Sequence, residues 1–215
     1  MHLLPNPAAP ARWRGGRVAL AALLIAACAP AWAEGENLPP DVLVRQVFAD
    51  VLAAIQNNAG DRAGREKALA IAKQKILPHV DFERMTRLAV GRAWRSADAG
   101  QRQALVNQFS SLITRVYSAA IDAYQGQQAK VDSLNLSPTD TDVIVRSRFE
   151  KPGAPPVEVT YAMEKTAQGW KLYDITVENV SLVITYRSQF GEEISRSGVD
   201  GLIQSLKEKN RVASP

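Results

Sequence analysis

The chain has 215 residues, 46% hydrophobic and 22% charged, with 1 Cys, 2 His and a formal net charge of +4. That length fits one domain with a sizeable core, and the charged fraction is too ordinary for disorder. A single Cys excludes an internal disulfide framework and any Cys-based zinc module.

Residues 1–33 read as a leader rather than as fold. Arg12, Arg14 and Arg17 precede an apolar run over residues 18–27, and Ala31-Trp32-Ala33 follows. A basic region, a short apolar run and an A-x-A site make a secretory signal peptide, cleaved near Ala33-Glu34. Ile25-Ala26-Ala27-Cys28 also fits a bacterial lipobox, so lipidation at Cys28 stands as the alternative. The run falls short of the ~20 residues that span a bilayer. Without the three leader arginines the net charge drops to +1. The basic surplus is then mostly address, and attraction to nucleic acid by bulk charge loses its basis. The expected mature chain, residues 34–215, keeps one histidine, His79, and no cysteine.

Pro39-Pro40-Asp41 opens a first helix, with Val44, Val47, Phe48, Val51, Leu52 and Ile55 on one face. Asp61 caps a second helix that runs to about residue 77, before Pro78, and Asp81 caps a short third one ended by Gly91. A long helix follows over about 97–124, its stripe carried by Leu105, Phe109, Leu112 and Val116. The period then changes to two. Strands are expected over 130–136, 142–149, 157–164 and 170–177, joined in sequence by turns, hence an antiparallel meander. Two helices close the chain, over 182–195 and 199–209, separated at Gly198. The expected class is α+β: about four antiparallel strands, twisted, with helices packed over one face. The parts divide at 34–126 for the helices, 127–180 for the sheet, 181–210 for the closing helices and 211–215 for a tail.

Little here suits catalysis. There is no phosphate loop, HExxH, GxSxG or dinucleotide glycine pattern. A metal site lacks ligands, and no cofactor is expected. His79, next to Pro78, reads as a surface or capping histidine. Asp174, in an otherwise apolar strand, is the other candidate base, and an enzyme built on a cavity would have to use one of these two. Trp94 and Trp170 read as core. Arg187, in an apolar context, reads either as half of a structural ion pair or as a headgroup or partner contact.

Several short signatures, in order, carry a resemblance. They are Asp81-Phe82 with Met85; Gly91 with Trp94-Arg95; Tyr173-Asp174 with Glu178 and Val180 to Val183; Tyr186-Arg187-Ser188-Gln189-Phe190; Gly198 through Leu202-Ile203; and Lys209-Asn210. Together they resemble the MlaC family, also called the toluene-tolerance auxiliary family, over essentially the whole mature chain. The resemblance implies a periplasmic, non-enzymatic carrier of glycerophospholipid that maintains outer-membrane lipid asymmetry. It implies exchange between an outer-membrane lipoprotein–porin complex and an inner-membrane ABC transporter complex with a lipid-binding MCE subunit. It also implies a monomer with a loosely NTF2-like shape, acyl chains between helices and sheet, and the headgroup mostly outside. The residue pattern offers a lining for such a cavity: Val145, Phe149, Val159, Tyr161, Met163, Ile175, Val177, Val180, Leu182, Val183 and Tyr186, with Tyr117 from the long helix. Under this reading Val183→Glu abolishes carriage while the protein still folds. Two alternatives remain at this stage: an envelope adaptor with a filled interior, and a small-molecule enzyme on an NTF2-like cavity.

Overall fold

A computed structural model describes residues 38–58, 60–122 and 126–212, the side chains of Tyr117 and residues 119–122 excepted. Residues 1–33, the expected leader, and with them Cys28 lie outside the described residues. The helices are α1 (Pro40–Asn57), α2 (Arg62–Ile76), α3 (Phe82–Val90), α4 (Ala99–Asp122) and α5 (Leu182–Val212). Short 3₁₀ turns occupy Leu77–His79 and Gly91–Arg95. The strands are β1 (Gln128–Val131), β2 (Asp142–Glu150), β3 (Val157–Thr166), β4 (Gly169–Val177) and β5 (Val180–Ser181). They form one antiparallel sheet in the order β1-β2-β3-β4-β5, a meander as the alternation requires.

The caps fall where the sequence places them. Asp61 accepts the Gly64 N–H and Asp81 the Arg84 N–H, so each carboxylate satisfies a helix-start donor. Gly91, at φ +66°, turns the chain out of α3. Gly198, at φ +72°, interrupts α5 and gives the two closing segments.

The α+β class and the antiparallel sheet are as expected, and three details sharpen them. The sheet has five strands rather than about four, because β5 folds back on β4 through a two-residue turn, Glu178-Asn179. Both turn residues have positive φ, 48° and 64°, the geometry that matches strand twist in tight hairpins. β1 starts earlier than residue 130 and ends at Val131. Beyond it the Leu134 N–H turns toward the Asp41 carboxylate of α1 instead of a neighbouring strand. The helices, finally, do not share one job. α1 is the main cover of the face carrying Val145, Val159, Tyr161 and Met163, which with Leu43, Val44 and Trp170 make one apolar core. α2 packs on α1, while α3, α4 and α5 pack chiefly on each other: Met85, Trp94, Phe109, Val183, Phe190 and Leu206 belong to a second core with no strand residue in it.

The two cores are stitched at β4. Asp174 accepts the Ser181 hydroxyl at 2.6 Å and the Val183 N–H at 3.0 Å, while the Ser181 oxygen accepts the Ile184 N–H. Its carboxylate therefore anchors the start of α5, where negative charge is favoured. On the sheet face opposite α1, Arg84 of α3 pairs with Glu164 and with Asp142 at 2.7 Å, and stacks 3.6 Å over the Tyr173 ring. Tyr173 donates to Asp142 at 2.7 Å, closing the network.

Candidate functional site

The apolar stripe of α1 decides where the interior is open. Near its start Leu43 and Val44 are buried, but Val47, Phe48, Val51, Leu52 and Ile55 are only half-buried although they face the sheet. Between them and the strands lies an open cavity of about 370 Å³. Its far wall is Phe149, Val159, Tyr161, Met163, Leu172, Ile175 and Val177; Ala129 of β1, Ile76 at the end of α2, and His79 and Val80 of the α2–α3 connection complete the lining. Phe48 meets the rings of Phe149 and Tyr161 edge-on, at 5.4 and 5.8 Å between centroids. The buried Ser147 hydroxyl lies 3.3 Å from the Tyr161 oxygen, so that phenol has a polar partner.

A void of this size is not a packing accident. At ~24 cal/mol per Å³, about 370 Å³ of sealed vacancy would cost roughly 9 kcal/mol, comparable to a whole domain's stability. Water gains nothing along such a wall, because it would find almost no hydrogen-bond partner there. An apolar guest is what this surface suits.

Of the residues expected to line a cavity, Phe149, Val159, Tyr161, Met163, Ile175 and Val177 do so. Val145 is fully buried in the same core but does not reach the opening. Leu182, Val183 and Tyr186 lie elsewhere, in or against the helical core, where Tyr186 packs on Phe109 at 4.9 Å and on Phe190 at 5.4 Å. The reason is the β5 fold-back, which sends α5 onto α3 and α4 rather than across the sheet. Val180 stands 62% exposed. The side chain of Tyr117 lies outside the described residues. Arg187 is exposed and packs its guanidinium over Gly91, where a Cβ would lie 3.4 Å from Nε. The ion pair expected for it is absent among the described residues.

Sequence reasoning missed α1 as a wall, and it missed His79. The stripe of α1 was visible, but a stripe says only that a face is covered. His79 lines the cavity and is partly buried; burial first, and the charge of Lys171 second, hold its pKa below the ordinary imidazole value. Asp174 does not line the cavity. No cluster of His, Cys, Asp and Glu that could hold a metal occurs among the described residues.

The MlaC protein family model matches residues 45–208. The intermembrane phospholipid transport system binding protein MlaC of Haemophilus influenzae is 23% identical over 173 residues, covering 79% of this chain and 81% of that protein. A phospholipid-binding protein from Ralstonia solanacearum, solved with a phospholipid bound, is 36% identical. It superposes with a TM-score of 0.71 over 81% of this chain and 98% of its own. The family model spans most of the chain and the solved relative matches over nearly its full length, so the chain belongs to the MlaC family.

Proposed function

We propose that this protein is a non-enzymatic periplasmic carrier that holds glycerophospholipid acyl chains between α1 and the sheet. The observation that supports this most directly is the open, apolar cavity of about 370 Å³. Roughly thirty methylenes at ~0.8 kcal/mol each amount to about 24 kcal/mol, so a bare phospholipid does not cross water at a useful rate. A protein with a dry slot removes that barrier. The half-buried side chains of α1 and the floor residues Phe149, Val159, Tyr161, Met163, Ile175 and Val177 are the acyl-chain contacts in this reading.

The Haemophilus relative is named for an intermembrane phospholipid transport system. The carrier would accordingly leave its leader near Ala33 and act as a monomer. It would exchange lipid between an outer-membrane lipoprotein–porin complex and an inner-membrane ABC transporter with an MCE subunit, sustaining outer-membrane asymmetry. Arg187, exposed near Ile184 on α5, is assigned to partner contact rather than to the cavity. Mass spectrometry of natively purified protein tests the core of the reading. The expected spectrum has a chain starting near Glu34 with phospholipid adducts. A lipid-free spectrum, combined with no uptake from phospholipid vesicles, overturns it.

A further inference from the structure

The cavity wall is almost wholly apolar, and the side chains in it that carry polar groups are His79, Gln127 and Tyr161, the last with its hydroxyl against Ser147. An amphiphilic guest in an apolar slot is oriented by the few polar groups its wall offers. His79 sits at the end of the 3₁₀ turn Leu77–His79, and that turn is held firmly. Val80 forms a bridge with Leu172, and the Asp81 N–H donates to the Leu172 carbonyl at 2.8 Å, so the edge of β4 carries the turn. Lys171, one residue before Leu172, sends its Nζ to the Pro78 carbonyl at 2.6 Å. An ammonium is thus fixed at the peptide that immediately precedes His79. Neither side chain is paired with a carboxylate among the described residues.

The imidazole thus stands on the cavity wall with an ammonium one peptide away: Lys171 leaves β4 opposite Glu164, and its Nζ passes the sheet edge to Pro78 rather than to that carboxylate. The turn is already secured through Val80 and Asp81, and Lys171 spends only one of its three N–H donors on Pro78. A phosphate is the group that both can serve: the imidazole supplies an N–H and the ammonium supplies charge, and hydrogen bonds between ionised partners are the strong ones. We infer that His79 and Lys171 receive the phosphate of the bound phospholipid at the edge of the cavity, fixing which end of the lipid enters and favouring phospholipid over uncharged diacylglycerol of the same chains. The inference rests on the carrier reading above and adds a polar end to it. It leaves the rest of the headgroup in water.

His79 is one of only two histidines in the chain, and the other, His2, lies in the leader. Its ring signals in an NMR spectrum of tag-free protein purified from the periplasm are therefore simple to follow. The test compares protein exposed to vesicles of dioleoylphosphatidylglycerol, to vesicles doped with dioleoylglycerol, and to inorganic phosphate alone. With the phospholipid bound, the His79 titration moves upward, because an anion beside the ring favours the protonated form; with diacylglycerol it moves downward, because apolar burial disfavours it. In the combined variant His79→Gln, Lys171→Met the ratio of phospholipid to diacylglycerol uptake falls about tenfold from that of the wild type. A downward His79 shift with both lipids, or a phospholipid preference that survives the double variant, overturns the inference and leaves the carrier reading intact. Inorganic phosphate moving His79 as far as the phospholipid does, with no lipid preference, assigns the site to free anions and also overturns it. Uptake of neither lipid by the wild type sinks the carrier reading itself.

Discussion

The molecule has two apolar interiors made from similar residues, one filled and one hollow. In the helical core Phe109 is fully buried and meets Tyr186 and Phe190 edge-on at 4.9 and 5.0 Å. Under α1 Phe48 reaches the rings of Phe149 and Tyr161, but the half-buried side chains around it leave about 370 Å³ open against the sheet. Composition does not separate the two; architecture does. α3, α4 and α5 can close on one another like any helix set, each adjusting until side chains interlock. α1 faces a sheet whose strands are fixed by their own ladder. It is fastened to β1 and β2 near its start, where Leu43 and Val44 bury and Asp41 reaches the Leu134 N–H. Beyond Phe48, which still meets Phe149 and Tyr161, Val51, Leu52 and Ile55 border the open space.

The comparison predicts unequal responses to truncation, and the largest concerns the filled side. Phe109→Ala is expected to lower unfolding stability by about 3–5 kcal/mol, since its neighbours cannot collapse into the gap. Leu52→Ala, on the hollow side, is expected to cost less than about 1 kcal/mol, because the removed atoms touch little. Urea denaturation of lipid-free protein measures both. Equal losses at the two positions would mean that the cavity closes in solution.

A charge separates the regions by function rather than by stability. Val51→Glu places a carboxylate on the half-buried face of α1, where water still reaches it, so the fold is expected to persist while phospholipid uptake falls at least tenfold. Val183→Glu, by contrast, puts the charge into the packed helical core, where Val183 is 6% exposed, and is expected to unfold the protein. That reverses the expectation drawn from sequence, in which Val183 lines the cavity and tolerates the change. Vesicle uptake and circular dichroism on both variants decide the matter; a folded Val183→Glu protein that fails to bind lipid would return α5 to the cavity wall.

Why Val183 was misplaced is also why the site was half legible. Periodicity identified every long helix and the three long strands, because each carries a repeating contrast between its faces. It also identified the inward row on β2 and β3, where Phe149, Val159, Tyr161 and Met163 keep strict alternation. On β4 the alternation breaks. The pairing shifts between Ala162 and Met163, leaving Tyr173 without a partner, so Leu172 and Ile175 share the cavity wall despite opposite parity. A bulge of that kind leaves no mark in a hydrophobic pattern. Neither does β5: Glu178 and Asn179 are not glycines, so the fold-back they make with positive φ was unmarked, and α5 was followed in the wrong direction. Stand-off is invisible for a different reason. A helix stripe reports which residues avoid water and is silent on whether anything touches them.

The smallest expected effect is one of pH, and it too divides the regions. His79 has its pKa held below the ordinary 6.5, by burial at the cavity wall and then by Lys171, whereas in the unfolded chain it returns to that value. Between the two values the unfolded chain binds the extra proton, so stability rises with pH across that window. The contribution is fully present above pH 6.5 and is lost as the pH falls through the folded value. Lipid-free wild type is therefore expected to lose part of its urea resistance between about pH 7 and about pH 5, and His79→Gln to lose measurably less. The destabilisation by Phe109→Ala should be the same at both pH values, because its contacts Tyr186 and Phe190 carry no group that titrates there; burial pushes the Tyr186 phenol upward, away from this range. Identical pH slopes for wild type and His79→Gln would place the imidazole in water and remove it from the wall of the hollow core.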